Sequence, residues 1–153
     1  MRSSWINFLS GKLNELVLSE QQIEILKKHW RLEGEIKFHR RLANIVYFTH
    51  MNGREVVLRL TEPGHRKVQE IESELHWMSF LTANEMRIAT PIPTNHATFV
   101  IEIPGEKNYF AALFEKAAGA FLKDEEAVEI EMIRQWGRYI GKMHRLTKSY
   151  KPP

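Results

Sequence analysis

The sequence predicts an α+β fold in which a five-stranded antiparallel sheet packs against one helix. Three observations lead to this prediction. Short β-branched and aromatic runs follow one another over residues 34–60. The dipeptide Asn52-Gly53, the strongest short hairpin signal, separates two of these runs. A helical pattern of apolar residues then precedes two further strand-like runs. Helical segments are predicted on both sides of this arrangement.

The first clear helix is predicted over SEQQIEILKKHW, residues 19–30. Ser19 is suited to cap its first turn, and Gln22 three residues later completes a capping box. Ile23 and Leu26 then supply an inward face. Residues 4–16 are a further helix candidate.

The next segment is predicted to form three antiparallel strands, GEIKF, NIVYFTH and REVVLRL, within residues 33–61. Side chains alternate between the two faces of a strand. Leu58 and Leu60 therefore share one face of the third strand, and Val57 and Arg59 share the other.

A helix is predicted from about His65 to Ala83, because apolar residues recur there at three- and four-residue steps. Glu74 lies at the edge of this apolar stripe, which must face the sheet. A carboxylate in that position is costly unless it is paired, and its simplest partner is Arg59. Two interpretations remain open: a purely structural ion pair, or an Arg59 that also holds a phosphate while Glu74 orients it.

The remaining elements follow from similar patterns. Pro91 and Pro93 end any helix, and ATFVIEI and YFAALFE are predicted as the fourth and fifth strands. Asp124 is a candidate cap for a C-terminal helix. The apolar stripe of that helix consists of Val128, Met132, Trp136, Ile140 and Met143. Gly137 and Gly141 lie beside this stripe, where small residues permit close approach by another helix.

We divide the chain into an N-terminal helical segment, 1–30, a sheet-containing lobe, 31–118, and a C-terminal segment, 119–153.

Composition restricts the class of protein. The chain has 153 residues, enough for one core of ordinary size, and no cysteine, which excludes disulfides and thiolate zinc sites. It has no apolar run near the roughly 20 residues of a membrane span, and we expect no signal peptide and a cytoplasmic location. The formal net charge is +3. Much of the excess lies in residues 27–41, a stretch that attracts phosphate.

The order of elements resembles a protein-kinase-like N-terminal lobe: three strands, a helix, two strands and a linker into helices. VVLRL and ESELHWMSFL are similar to the third strand and the following helix of that lobe. YFAALFEKAAG resembles the fifth strand and hinge of the aminoglycoside phosphotransferase and choline kinase-like family. WGRYIGKMHRLTKSY resembles the helix before that family's catalytic loop. The resemblance covers Leu32 to Tyr150.

The resemblance implies an ATP site and assigns roles to its residues. Arg59 replaces the phosphate-contacting lysine of many members, and Glu74 is its helix partner. Val57 covers the adenine, and Phe114 lies at the back of the pocket. The adenine edge is held by the Glu115 carbonyl and the Ala117 amide, and Gly119 lets the chain turn into the next lobe. The loop between the first two strands, HRRLAN, has no glycine; His39, Arg40 and Arg41 offer cationic cover instead, although a solvated basic hairpin tip is an equal alternative.

The resemblance also implies Mg²⁺, but the aspartates of the family's catalytic loop and metal site are missing, since Asp124 is the only aspartate in the chain. We therefore expect the ATP-binding lobe of a small-molecule phosphotransferase, which transfers the γ-phosphate to a hydroxyl, truncated and not catalytic alone. A small-molecule acceptor would bind only if a C-terminal lobe were supplied. The alternatives are a basic nucleic-acid-binding module that uses residues 27–41 and a protein-interaction module that self-associates through its C-terminal helix.

Overall fold

The computed structural model describes residues 18–105, 108–119 and 129–152. The helices are α1 (Glu20–Trp30), α2 (Val68–Ala83) and α3 (Ile130–Thr147). The strands are β1 (Glu33–Arg41), β2 (Ile45–Met51), β3 (Arg54–Thr61), β4 (Pro91–Ile92), β5 (Ile101–Ile103) and β6 (Tyr109–Glu115). The helix candidate over residues 4–16, the candidate cap Asp124 and the stripe residue Val128 lie outside the described residues.

The strands form one antiparallel sheet in the order β1-β2-β3-β6-β4, and β5 also pairs with β6. One side of β6 pairs with β3 along most of its length. The other side pairs with β5 near its start and with β4 near its end. The predicted α+β class and the antiparallel sheet are confirmed.

Within the described residues the sheet has six strands, one more than the sequence predicts. The additional strand, β4, begins at Pro91, which lies opposite Phe114 at the edge of the sheet. Proline is tolerated there because an edge strand leaves some N–H positions unpaired. The strand predicted over residues 97–103 shortens to β5. Before it, the Thr94 N–H donates to the Thr98 carbonyl at 2.7 Å, and Ala97 adopts a φ of 60°, so the chain turns there.

Each face of the sheet packs against a different helix. On one face, Leu58 and Leu60 are fully buried in a cluster that includes Leu26 and Trp30 of α1. On the other face, a second cluster joins the sheet to α2 and consists of Ile71, Leu75, Val100, Ala112 and Phe114. The Trp30 indole N–H donates to the Ile92 carbonyl at 3.0 Å and so ties α1 to the edge strand β4. The strict alternation along β3 therefore sends Val57 and Arg59 towards α2.

The predicted β2–β3 hairpin is present at Asn52-Gly53. These residues adopt φ values of 52° and 69°, the left-handed region that an Asn-Gly turn tolerates. The Glu33 carboxylate accepts hydrogen bonds from both turn amides, at 3.0 Å from Asn52 and 3.1 Å from Gly53. Met51 and Arg54 pair directly beside the turn, which fixes the alignment of the two strands.

Helix α2 begins at Val68 rather than at about His65. Pro63 and Arg66 form an isolated bridge in the preceding turn, and the Lys67 N–H donates to the Glu70 carboxylate at 3.0 Å at the start of the helix. The predicted capping box of α1 is present, since the Ser19 hydroxyl accepts from the Gln22 N–H at 3.3 Å and the Gln22 side chain accepts from the Ser19 N–H at 2.9 Å.

Helix α3 packs against the end of α2 through polar contacts. The Trp77 indole N–H donates to the Thr147 hydroxyl at 3.1 Å, and His76 Nδ1 lies 2.8 Å from the Tyr150 hydroxyl. Four large apolar side chains of α3 remain between 48% and 64% exposed: Ile130, Ile133, Trp136 and Ile140. No helix in the described part of the chain has the length and apolar character of a membrane span.

Candidate functional site

A cavity of about 510 Å³ lies on the face of the sheet that packs against α2. Strands β1, β2, β3 and β6, helix α2 and the segment after β6 all contribute to its wall. Its lining residues are His39, Arg40, Val46, Phe48, Val57, Arg59, Met78, Ala89, Phe114, Glu115, Lys116, Ala117, Ala118 and Gly119. It is the cavity in which eight of the residues singled out from the sequence meet: His39, Arg40, Val57, Arg59, Phe114, Glu115, Ala117 and Gly119.

The ion pair predicted between Arg59 and Glu74 is present. Arg59 Nη1 donates to Glu74 Oε1 at 2.8 Å, and the two side chains are only 17% and 24% exposed. The contact joins the third strand to α2 across the edge of the cavity. A partly buried pair of this kind holds each group in one geometry, because either charge alone would lack compensation.

Arg66, in the turn between β3 and α2, is a second partner of Glu74 that the sequence argument missed. Its Nη1 donates to Glu74 Oε2, and its Nη2 donates to the Glu70 carbonyl at 3.0 Å. Turn residues carry no periodicity, so no pattern pointed to it. The available signal was its spacing of four and eight residues before Glu70 and Glu74, which puts Arg66 just before the helix and on the same side as both glutamates.

The two arginines determine the protonation state of Glu74. Burial by itself raises the pKa of this carboxyl, but the hydrogen bonds from Arg59 and Arg66 and their positive charges outweigh that effect and lower the pKa below its ordinary value. Glu74 is therefore a carboxylate at neutral pH. Two guanidinium charges around one carboxylate leave the cluster with a net positive charge.

Arg59 also has donors that no described residue uses. Its Nε and Nη2 atoms are buried and hydrogen bond to no group in the described part of the chain. Its guanidinium carbon lies 4.9 Å from the centre of the Phe114 ring, which stabilises the cation from one side. Nε and Nη2 lie on one edge of the planar guanidinium, the arrangement that grips two oxygens of a phosphate or carboxylate.

The cavity also has an apolar wall, which borders the exposed segment after β6. Val57 and Phe114 face each other directly across β3 and β6, and Met78 and Ala89 complete the wall. The chain then leaves the sheet through residues 116–119, where Gly119 adopts a φ of 137° that other residues rarely adopt. This combination suits a flat apolar ring system whose edge meets main-chain donors and acceptors.

The basic residues of β1 divide between the cavity and the surface. His39 and Arg40 line the cavity, and the His39 ring packs on the Phe48 ring with centroids 4.4 Å apart. Arg41 pairs with Glu62 and does not line the cavity, so its part in ligand binding stays a prediction.

Lys116 is another lining residue that the sequence argument missed. It pairs with Glu55, and its ammonium lies 5.0 Å from the centre of the Phe48 ring. Its hydrogen bond lowers the pKa of the Glu55 carboxyl. The pair ties the segment after β6 to the start of β3.

The described residues offer no obvious metal site. Among residues 18–105, 108–119 and 129–152, no three or more histidine or acidic side chains are grouped so that they could hold a metal ion. The Mg²⁺ expected from the resemblance therefore does not fit the residues described, and we derive no step through it.

Comparison with known proteins identifies relatives of this architecture. The sequence profile of the phosphotransferase enzyme family matches residues 35–153. Amicoumacin kinase of Bacillus subtilis (strain 168) is 26% identical over 139 residues, which cover 88% of this chain and 41% of the relative.

Two solved structures share the fold. The amicoumacin kinase hAmiN, in complex with AMP-PNP, Ca²⁺ and Ami, superposes with a TM-score of 0.76 at 22% identity, covering 88% of this chain and 41% of that one. A microcompartment-associated aminopropanol kinase superposes with a TM-score of 0.67 at 21% identity, covering 86% and 41%. The chain thus spans about two fifths of the length of the relatives that it matches.

Proposed function

Because the chain belongs to the phosphotransferase enzyme family, we propose that it supplies the ATP-binding lobe of a small-molecule kinase. The reaction of the complete enzyme would transfer the γ-phosphate of ATP to a hydroxyl of the acceptor. Two named relatives, the amicoumacin kinase and the aminopropanol kinase, act on small molecules according to their names. The acceptor of this protein is a separate question, since the cavity described above accounts for a nucleotide and not for a second substrate.

One observation carries the proposal: Arg59 lines the cavity, and two of its buried N–H donors are satisfied by no described protein group. A buried donor without a partner costs about 1–3 kcal/mol, so a protein gains by supplying it with a ligand. The surplus positive charge of Arg59, Arg66 and Glu74 makes that ligand an anion. Both nitrogens are covered by neighbouring protein atoms, so a phosphate would have to displace part of that cover to reach them.

The apolar wall of the cavity supports an adenine ring as the other part of the ligand. Val57 and Phe114 would contact its faces and back, and the Glu115 carbonyl and Ala117 amide would pair with its edge. His39 and Arg40 would cover the phosphates in place of a glycine-rich loop. The volume of about 510 Å³ lies within the range of roughly 300–1,000 Å³ common for small-molecule sites.

We further propose that nucleotide binding is separable from chemistry in this protein. Phosphoryl transfer in kinases needs carboxylates that hold Mg²⁺ and position the attacking hydroxyl. The 153 residues contain one aspartate, Asp124, which lies outside the described residues. Groups that bind the metal and the acceptor would therefore come from outside this sequence.

The proposal is tested by titrating the chain with Mg·ATP in a calorimeter and in a thermal-shift assay. We expect ATP to raise the melting temperature, and we expect Arg59→Ala to weaken ATP binding by at least about tenfold, since it removes charge-assisted hydrogen bonds. Arg54→Ala is the matched control. Arg54 is an exposed arginine at the start of the same strand and does not line the cavity, so its loss removes the same charge.

Two results would count against an ATP site. One is an unchanged melting temperature with millimolar ATP. The other is an equal loss of affinity in Arg59→Ala and Arg54→Ala, which would show attraction by net charge alone.

The exposed face of α3 favours a second candidate, a protein-interaction role in which two copies of the chain associate. A Cβ added at Gly137 or Gly141 meets no described atom within 4 Å, so another helix has room to approach closely. Glu131 lies in the first turn of α3, and His144 and Arg145 lie in the last. Antiparallel pairing of two copies would bring these opposite charges together.

The nucleic-acid alternative has less support. Within residues 27–41, Arg41 is paired with Glu62, and Glu33 is engaged at the β2–β3 turn. Salt-sensitive binding to oligonucleotides without a response to ATP would favour it.

A further inference from the structure

The shared carboxylate of Glu74 links Arg66 to the donors of Arg59. Glu74 gives one oxygen to each arginine: Oε1 to Arg59 at 2.8 Å and Oε2 to Arg66. Arginine and carboxylate groups frequently pair through two parallel hydrogen bonds. Here the second oxygen is occupied, so Arg59 contacts Glu74 through Nη1 alone. Its other edge, Nε and Nη2, is left without a partner among the described residues.

Arg66 is itself held in place at several points. Its Nη2 donates to the Glu70 carbonyl at 3.0 Å, and its backbone forms the bridge with Pro63. Arg66 therefore connects the turn after β3 to the first turns of α2. With its side chain 39% exposed, it is close to solvent, whereas Arg59 is mostly buried. Arg66 does not line the cavity, so any effect on a ligand there must act through Glu74 or through its charge.

We propose that Arg66 is a positioning residue for the phosphate site: by occupying the second oxygen of Glu74, it keeps Arg59 from turning its Nε–Nη2 edge onto both oxygens of Glu74 and so leaves that edge without a protein partner, for phosphate to use. This inference rests on the proposed function. Without Arg66, both oxygens of Glu74 would be open to Arg59, and the Nε–Nη2 edge would pair with them.

The competing explanation is that Arg66 has only a structural role, linking the turn to the helix. Both explanations predict some loss of stability when Arg66 is removed, so stability cannot separate them. They differ in what happens to ligands. If the role is only structural, loss of the link loosens the whole cavity, and adenosine and ATP both bind more weakly. A positioning residue affects the phosphates alone.

The experiment measures the dissociation constants of Mg·ATP, inorganic tripolyphosphate and adenosine for the full chain and its Arg66→Ala variant. We expect ATP and tripolyphosphate to bind about tenfold more weakly, the effect of losing one charge-assisted hydrogen bond. Adenosine should bind as before. Arg138→Ala, which removes an arginine from an Arg–Glu pair on α3, is the control and should leave all three constants unchanged.

A double-mutant cycle identifies the route of the effect. In a Glu74→Gln background the carboxylate charge that attracts both arginines is gone, so Arg66→Ala should change the ATP constant by less than about twofold. An Arg66→Ala effect that persists at full size in that background would mean that Arg66 acts through its charge at a distance, and the proposal would fail. Arg66→Lys should retain part of the affinity, because an ammonium can still occupy one oxygen of Glu74.

Four further outcomes are decisive. Equal losses of affinity for adenosine and ATP in Arg66→Ala would show that Arg66 has only a structural role. If Arg66→Ala does not fold, equal losses of affinity for adenosine and ATP in Arg66→Lys would lead to the same conclusion. If Arg59→Ala weakens ATP binding but Arg66→Ala does not, this inference fails and the proposed function stands. If Arg59→Ala has no effect on ATP binding, the phosphate site itself is wrong.

Discussion

The guanidinium group of Arg59 makes two different contacts and has one unpaired edge. Its Nη1 contacts a carboxylate, its central carbon lies over the Phe114 ring, and its Nε–Nη2 edge is unpaired among the described residues. A lysine in this position has a single charged group without a planar face, so it cannot make all these contacts at once. Arginine in place of lysine would therefore change how an anion is gripped, and not only the size of the side chain.

The same ion pair predicts how stability depends on pH. The pKa of Glu74 is lowered in the folded protein, so the group adds stability above its ordinary value of 4.5, and that contribution is lost as the pH falls through the lowered value. Glu74→Gln should therefore be less stable than the wild type at about pH 7, by roughly 1–2 kcal/mol. The difference should shrink on acidification. Urea unfolding at a series of pH values measures it.

Glu72→Gln is the control for this prediction, because Glu72 is an exposed glutamate on the same helix. It should change the stability little at any pH. A Glu74→Gln difference that stays constant down to about pH 3 would mean that the carboxylate charge is not what stabilises the pair.

The residues of the site differ in how far the sequence alone could predict them. The Arg59–Glu74 contact was predictable because strand and helix periodicities each put one charged group on an apolar face. The side of the strand on which Val57 lies followed from the same alternation, whereas Phe114 followed from the family resemblance alone. Arg66 and Lys116 were not predictable in this way. Both lie in connecting segments, where neither the two-residue nor the 3.6-residue period applies, and their partners become evident only when the chain is folded.

At the scale of elements, long periodic segments were predicted well and short ones were not. The β2–β3 hairpin and the face of α2 agree with the sequence patterns. Strand β4 was missed because its two residues are too few to show a pattern and one of them is proline. Its existence depends on a neighbour, β6, that comes later in the chain. Sheet edges of this kind are determined by tertiary pairing more than by local propensity.

The exposed face of α3 gives a prediction for self-association. We expect the average mass of the chain in sedimentation equilibrium to rise with concentration, and we expect Trp136→Glu to reduce that rise, because it adds a charge to the apolar face. The melting temperature should change little, since Trp136 is 49% exposed.

Leu42→Glu serves as the matched substitution for this test. Leu42 is an apolar residue that is 75% exposed in the β1–β2 connection, away from α3. A wild-type chain whose mass stays that of one copy at every concentration, or equal effects of the two substitutions, would contradict association through α3.

On the scale of the whole molecule, one sheet supports two different environments. The face that packs against α1 is closed and apolar, with Leu26, Leu58 and Leu60 fully buried. The opposite face carries the cavity and its charged cluster. Helix α1 contributes Leu26 and Trp30 to the same core cluster as β3. It therefore stabilises this strand from the face opposite to Arg59.

The length of the chain relative to its relatives leads to a prediction about turnover. The matched region covers 41% of the amicoumacin kinase of Bacillus subtilis, and the 153 residues hold one aspartate. We expect the purified 153-residue chain to bind ATP without releasing ADP, with or without hydroxyl-bearing acceptors, in a coupled assay. ADP release above the rate of a heat-denatured sample, abolished in Arg59→Ala, would show that these residues suffice for catalysis.

The position of Glu33 at the Asn52-Gly53 turn has a consequence at the opposite end of the hairpin. Moving β3 by a single residue would exchange its two sides, so the guanidinium would point into the leucine-rich layer beside Trp30 and the cavity would receive Leu58 or Leu60 instead. Two amide hydrogen bonds to a surface glutamate help to exclude that misalignment. An acidic residue far from the cavity thus contributes to deciding which side of the molecule is positively charged.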